Sequence, residues 1–280
     1  MKKKAAQNQA RLWKANQFRD LDLLKASFTT HRYNRHIHKK YVMGVIETGV
    51  ERFFHRGKEH FAPPKHLIVI NPGEVHDGSS ATEQGFIYRV AYVHPDLVKK
   101  IAEAWGKKPG AYPFFRQAVT KDPQLAEKFF KAHVLLERET QSKLAAQTCF
   151  IEVVAEIINR YAVFTEAASF KQPQNPGLIK KALEQIRDQA RENLSLDDLA
   201  RQAGLSKYHF LRLFKESTGL PPHAYQVQQR VELAKGFIEK GHDLSQSAYK
   251  AGFSDQAHMT RQFRAILGVT PGSFRRSLFS

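Results

Sequence analysis

The last third of the chain repeats itself, and a duplicated module of fixed spacing constrains the fold more than any other feature. Residues 196–206 read Leu-Asp-Asp-Leu-Ala-Arg-Gln-Ala-Gly-Leu-Ser, and residues 244–254 read Leu-Ser-Gln-Ser-Ala-Tyr-Lys-Ala-Gly-Phe-Ser. At an offset of 48, Leu196 meets Leu244, Ala200 meets Ala248, Ala203 and Gly204 meet Ala251 and Gly252, and Ser206 meets Ser254. One inserted residue raises the offset to 49. Arg212 then meets Arg261, Phe214 meets Phe263, Gly219 meets Gly268, Pro222 meets Pro271 and Tyr225 meets Phe274. Two copies are too few to stack as a solenoid and predict a paired module.

Each copy has the pattern of a helix-turn-helix. Ser195 is placed to cap a first helix, with Asp198 in capping-box position, and Leu196, Leu199, Ala200 and Ala203 follow on one face. The small alanines admit a second helix, and Gly204 suits the turn between the two. Ser206 caps a helix whose inward stripe is Phe210, Leu213 and Phe214, and whose other face carries Tyr208, Leu211, Arg212 and Lys215. In the second copy Met259 and Phe263 turn inward, and Ala257, Thr260, Arg261 and Arg264 turn out. Between the copies, residues 222–240 open after Pro221-Pro222 and close before Gly241. They predict one helix of about 18 residues, roughly 27 Å long. Such a rod holds two helices near one DNA turn apart, about 34 Å, so that both reach successive major grooves.

At these residues the chain resembles the AraC family of transcription regulators. The resemblance covers residues 178–276. It is carried by Ala-Gly-Leu-Ser at 203–206, Leu-Phe-Lys at 213–215, Thr-Gly at 218–219, Tyr225, Arg230, Ala234, Gly-Phe-Ser-Asp-Gln at 252–256 and Gly-Val-Thr-Pro at 268–271. Ser247 departs from it, standing where the family usually has a buried aliphatic residue, which predicts a slightly weaker second core. The resemblance implies that the second helix of each unit reads the major groove. Tyr208, Leu211 and Arg212 would then face bases from the first unit, and Gln256, Thr260 and Arg261 from the second. Arginine suits guanine O6 and N7, and glutamine suits adenine. Lys207, Lys215, Arg230 and Arg264 are assigned to phosphates, which position without specifying. The competing reading of each is a solvated helix face; recurrence in register counts against it for Arg212 and Arg261.

The net charge of +17 points to a polyanionic partner, double-stranded DNA on this reading. Its distribution matters. From residue 178 onward there are 16 Lys/Arg against 10 Asp/Glu, whereas residues 1–40 alone hold 11 against 2. Residues 1–20 read as a basic tail. Cys149 is the one cysteine, which excludes an internal disulfide and fits a reducing compartment. It falls in an apolar helical pattern and reads as a small buried hydrophobe. No apolar segment follows the first lysines, and Glu152, Glu156 and Arg160 interrupt the most apolar stretch. A secretory signal and a membrane span are therefore not expected, and a cytoplasmic protein is.

Upstream, the pattern becomes strand-like. Residues 41–47, 50–55, 66–71 and 86–93 are β-rich runs separated by Gly, Pro and polar turns, as in a small barrel or jelly roll. This looks like the cupin-type sensor domain common in AraC-family regulators, whose interior binds a small effector. The expected class is α+β: a cupin-like β-barrel with a helical extension over 21–165, a linker over 166–177, and an all-α domain over 178–280 with two helix-turn-helix units joined by a long helix. His36-Ile37-His38 and, later, Pro72-Gly73-Glu74-Val75-His76 resemble metal-ligand motifs of catalytic cupins. The glutamate expected soon after the histidine pair is absent, however, and Lys39 and Lys40 stand there instead. No metal and no cofactor are expected. His36, His38, Tyr41, Glu74 and His76 are candidates for an effector pocket or are surface residues, and Arg89 either balances a carboxylate ligand or is solvated.

Residues 123–137 and 141–164 read as amphipathic helices. The apolar stripe of the second, through Leu144, Cys149, Val153, Ile157 and Tyr161 with Phe150, Val154 and Ile158 beside it, is wide. It either packs on a second subunit, giving a homodimer, or only caps the barrel. A contact with RNA polymerase is a further partner to consider. Two other function classes compete: a metal-dependent cupin enzyme carrying a DNA-binding domain, and an architectural protein that binds DNA by charge alone.

Overall fold

Alternation along the strands organises the first half of the molecule. The structure is a computed structural model describing residues 8–18, 20–107, 109–138, 142–165 and 176–279, and the chain forms two compact units, one rich in strands and one helical. In the first, a larger antiparallel sheet runs β1 (Gln9–Lys14), β2 (Leu21–Phe28), β9 (Phe86–Val93), β4 (Tyr41–Gly49), β7 (His66–Ile70) and β11 (Val119–Lys121), numbered in chain order. A smaller sheet runs β3 (Arg32–His36), β8 (His76–Ser80), β5 (Glu51–His55) and β6 (Lys58–Ala62). Register puts Leu23, Ala91, Met43 and Val69 in one row across the larger sheet. That row belongs to a core with α1 (Pro95–Ala104), α2 (Pro123–Glu137) and α3 (Lys143–Tyr161), through Ile101, Leu125, Phe129 and Phe150. The next row, Leu24, Val90, Gly44 and Ile68, must turn to the opposite face, and with it Phe86 and Tyr88.

The β4 strand bends at a bulge between Ile46 and Thr48 and ends on Gly49 at φ +77°. A Cβ on Gly49 would sit 2.1 Å from the Gly85 carbonyl oxygen, so the corner leading into β5 requires glycine.

Three expectations change here. The basic tail over 1–20 contains β1, which pairs with β2 and buries Leu12 and Trp13; residues 1–7 lie outside the described residues. The second helix stops at Tyr161, because Val163 and Phe164 pair with Phe114 and Pro113 in a two-stranded sheet of β10 (Tyr112–Phe115) and β12 (Ala162–Thr165). The wide stripe on α3 is buried within its own unit at Phe150, Val153, Val154, Ile157 and Ile158, leaving Leu144 exposed. That removes the stripe as an argument for a second subunit.

The second unit holds α4 (Pro176–Asp188), α5 (Leu196–Gln202), α6 (Lys207–Thr218), α7 (Pro222–Glu239), α8 (Leu244–Lys250), α9 (Gln256–Leu267) and α10 (Pro271–Phe279). The linker expected over 166–177 lies outside the described residues up to 175, and α4 begins at Pro176. Ser195 Oγ accepts from Asp198 N at 3.0 Å and Ser206 Oγ from His209 N at 3.4 Å. In the second copy Asp243 and Asp255 are the caps, accepting from Gln246 N at 2.7 Å and His258 N at 2.6 Å. The step in the repeat offset thus has a cause: the residue that caps α9 is Asp255, one place beyond Ser254. Both α6 and α9 end on left-handed glycines, Gly219 and Gly268. Ser247 is fully buried and donates Oγ to the Asp243 carbonyl at 2.7 Å, so its hydroxyl is satisfied where an aliphatic residue was expected.

Candidate nucleic-acid interface and effector site

The inward stripes of the two second helices are buried: Phe210, Leu213 and Phe214 on α6, Met259, Phe263 and Ile266 on α9. Helical spacing then obliges the other faces to stay in solvent. On α6, Tyr208 is 77% exposed and Arg212 and Lys215 are exposed, with Leu211 half-buried. On α9, Gln256, Arg261 and Arg264 are exposed and Thr260 is half-buried. Arg212 lies 3.8 Å from Glu216 one turn on, and Lys207 3.5 Å from Asp197. Ion pairs between such exposed groups are weak and leave the cations available to a polyanion.

Arg230 departs from the phosphate role. Its Nε donates to the Ala190 carbonyl at 2.7 Å and its Nη2 to that of Glu192 at 2.8 Å, where Gln226 Nε2 also donates to both. These carbonyls lie in the turn that follows α4, outside the helix, where side chains must supply their donors. The arginine ties α7 to the turn after α4.

His36, His38 and His76 are buried, and ligand nitrogens of the three rings lie within 4.8 Å of one another, the one such group among the described residues. His36 Nδ1 lies 2.6 Å from the Asn34 carbonyl and His76 Nδ1 3.0 Å from that of Glu74. A proton on Nδ1 of either ring leaves its Nε2 a lone pair. Of the residues grouped with them on sequence, Glu74 does not join: His55 Nε2 lies 2.9 Å from its Oε2 and Arg56 holds its Oε1. Burial opposes the charge of Glu74, but the hydrogen bond from His55 and the Arg56 guanidinium outweigh it and lower the pKa.

Tyr41 and Arg89 are on the wrong face for a pocket between the sheets. Tyr41 shares the core with α2 and α3 and donates its hydroxyl to the Pro113 carbonyl at 2.5 Å. Arg89 is 4% exposed and is bound by Glu47 and Glu137, each at 2.5 Å, with Phe130 under the guanidinium. It therefore has its carboxylates already, and they are the protein's own.

The inner face of the smaller sheet holds residues that spacing alone did not single out. Glu51, Phe53 and His55 alternate inward on β5, and all three are buried. Glu51 pairs with Ala62 on one side and Ser80 on the other. Its carboxylate makes no hydrogen bond or ion pair among the described residues. Burial, with Asp77 nearby, raises its pKa to about 8. The alternation over residues 50–55 was a signal for the strand, and an acidic residue in its buried phase was the signal for this site.

Residues 19–154 match the family described as AraC-like ligand binding domain, and residues 199–277 match a helix-turn-helix domain family. The HTH-type transcriptional regulator YbfI of Bacillus subtilis is 29% identical over 254 residues, 90% of each chain. PqrA of Proteus vulgaris, a probable transcription factor, is 36% identical over 90 residues, 32% of this chain and 74% of its own. Among solved structures, apo ToxT from Vibrio cholerae superposes with a TM-score of 0.58 at 10% identity over 96% of both chains. ToxT with unsaturated fatty acid bound gives 0.57 at 11% over 98% of both. At that identity the likeness is one of fold. An effector-type barrel domain, a doubled helix-turn-helix and these relatives agree: the chain belongs to the AraC family of DNA-binding transcription regulators.

Proposed function

We propose that this regulator reads a specific operator with α6 and α9, and that a small effector entering between the two sheets changes its output. The observation that carries the reading is the pair Arg212 and Arg261, which recur in register on exposed faces of two capped helices, α6 and α9, in helix-turn-helix units joined by α7. Tyr208, Leu211 and Arg212, with Gln256, Thr260 and Arg261, are the base-facing set; Lys207, Lys215 and Arg264 are the phosphate set. His36, His38 and His76 line the effector space. The solved complex of ToxT with a fatty acid supports a small-molecule effector, and the relatives' description as transcription regulators supports binding over catalysis. Action on DNA supports a cytoplasmic location; among the described residues no helix is long and apolar enough to cross a membrane. Self-association through the exposed end of α3, at Leu144, and a contact with RNA polymerase complete the proposal.

The test is selection of bound sequences from a random DNA library. One enriched motif with two half-sites about 10–10.5 base pairs apart is expected. Binding of all sequences alike would replace this reading with that of an architectural protein.

The three clustered imidazoles favour a second reading, in which a divalent first-row cation sits among them and helps hold the effector. Neutral imidazoles suit such ions, and the approach of Nδ1 to carbonyls is the outer-shell pattern that orients ligating histidines. Elemental analysis of untagged protein decides it. Stoichiometric metal lost in His38→Ala supports the reading, and metal-free protein with intact effector response removes it.

A further inference from the structure

On the inward face of the smaller sheet, Glu51 is flanked by small side chains. Its neighbours across the ladders are Ala62 and Ser80, and Gly78 is the next inward position on β8, so small side chains surround the carboxyl. Beyond them the inward surface is aromatic. Phe53 stacks on His60 at 5.2 Å, and Phe28, Phe86 and Tyr88 form a cluster with centroids 5.0–6.2 Å apart. The β4–β9 register sets Phe86 opposite Gly49, two residues before Glu51. No positive side chain answers the acid: Arg89, the one buried Lys or Arg among the described residues, faces the helices.

A buried acid without a counter-charge stays protonated, and takes up its charge only when a partner of opposite sign arrives. The other charged group near it is Asp77, of the same sign. A carboxylate-bearing ligand would meet the like charge of Asp77 and find no cation to pair with. A polyol would need several fixed polar partners around Glu51, and the inward neighbours there are Ala62, Ser80 and aromatic rings; His76, with the clustered imidazoles, lies at the other end of β5, where it pairs with His55. An organic cation fits both features, because aromatic faces attract cations and a carboxylate pairs with an ammonium.

We propose that the effector is a small organic ammonium ion on an apolar or aromatic body, and that Glu51 takes its charge in the space between the sheets. This rests on the barrel being the effector site. The proton balance follows. Near neutral pH, Glu51 holds a proton in the free protein; it releases that proton to solvent when the ammonium binds, and the pair is carboxylate and ammonium.

The experiment is calorimetry of the full chain with probes matched in shape. Phenethylamine, tryptamine, butylamine and tetramethylammonium are the cations, phenethyl alcohol and a pentose the neutral probes, and phenylacetate and oleate the anions. At least one cation is expected to bind, releasing close to one proton near neutral pH, read from the heats in two buffers of different ionisation enthalpy. The isosteric Glu51→Gln variant is expected to weaken that cation about 10- to 100-fold and to abolish the proton release. Cation binding with no proton release in the wild type overturns the assignment without relying on any variant, as does binding unchanged in Glu51→Gln. Neutral or anionic probes binding while cations do not overturns the cation class and keeps the barrel as sensor. If no probe of any charge binds, both readings fall.

Discussion

A buried charge is tolerated when its partners are built in, and Arg89 shows how closely this chain does so. The β9 strand carries it on the helix-facing side, where Glu47 from β4 and Glu137 from α2 bind it and His133 Nδ1 lies 3.2 Å from Nη1. His133 Nε2 lies 3.1 Å from the Val90 carbonyl, so that nitrogen carries the ring proton and Nδ1 accepts from the arginine. Burial first, and then the guanidinium, push the imidazole down to about 3, so it is neutral throughout the physiological range. Removing one member of such a set leaves the others uncompensated. Arg89→Ala is expected to cost about 3–5 kcal/mol. Both tryptophans, Trp13 and Trp105, lie in the strand-rich unit, so urea unfolding followed by tryptophan fluorescence in the full chain reads that unit. A loss under about 1 kcal/mol would mean that the carboxylates hold nothing together. Glu51 gives the opposite case, a charge withheld. Its folded pKa of about 8 stands above the ordinary 4.5. Between these values the unfolded chain has released the proton and the folded chain still holds it. Stability contributed by this group is therefore complete below about 4.5 and is lost as pH rises toward 8. Glu51→Gln, which cannot ionise, should melt at a higher temperature than the wild type at pH 8, with the difference shrinking toward pH 5. A gap that does not change with pH would show that Glu51 is ionised throughout.

At the scale of elements, what could be read in advance is what local physics decides. The helix-turn-helix units were legible because caps, turn glycines and apolar stripes act within a few residues, and Ser195, Gly204 and Ser206 take those places. The fold class and the main strands were legible for the same reason. Strand β1 was hidden by the lysines and arginines around it, since its pairing with β2 depends on a neighbour and not on its own composition. Tyr41 and Arg89 were placed near the pocket because their residue types suit ligands; which sheet face each occupies depends on register. Arg230 looked like a phosphate ligand until the turn after α4 supplied carbonyls for it. Arg212 and Arg261 meet no such fate. If each reads a base edge, alanine at either should cost roughly 1–3 kcal/mol and relax preference at one localised part of the operator. Lys215→Ala and Arg264→Ala should weaken all sequences alike and lower the salt slope by about one. Quantitative binding of a randomised operator library by each variant, at two salt concentrations, separates the cases. Uniform losses for both arginine variants, with base preferences kept, would reassign the pair to the backbone.

The whole molecule divides its labour and its charge unequally. Most of the net +17 lies before residue 178, and residues 1–40 alone contribute 11 basic side chains against 2 acidic. The motifs assigned to bases lie in the other unit, with 16 basic residues against 10 acidic. Sequence reading and electrostatic attraction therefore need not come from the same part of the chain. The helical unit has its own core, with Ile186, Leu199, Phe210, Phe214, Val231, Met259 and Phe263 all buried. Its first helix is joined to the rest by the Arg230 and Gln226 bonds and by Arg187 Nε to the Tyr225 hydroxyl at 3.2 Å. Residues 175–280 expressed alone should accordingly be soluble and helical, and should select the same operator bases as the full chain. Each phosphate neutralised on duplex DNA adds about 0.9 to the slope of log affinity against log salt. If the basic amino end touches DNA, the slope of the full chain will be steeper than that of the fragment by about 0.9 for each phosphate this end neutralises. If it does not, the slopes will agree. The comparison runs on one selected operator, with circular dichroism of the fragment as the check on folding. A folded fragment that fails to bind that operator, or binds it with different base preferences, would show that DNA reading is not contained in the helical unit.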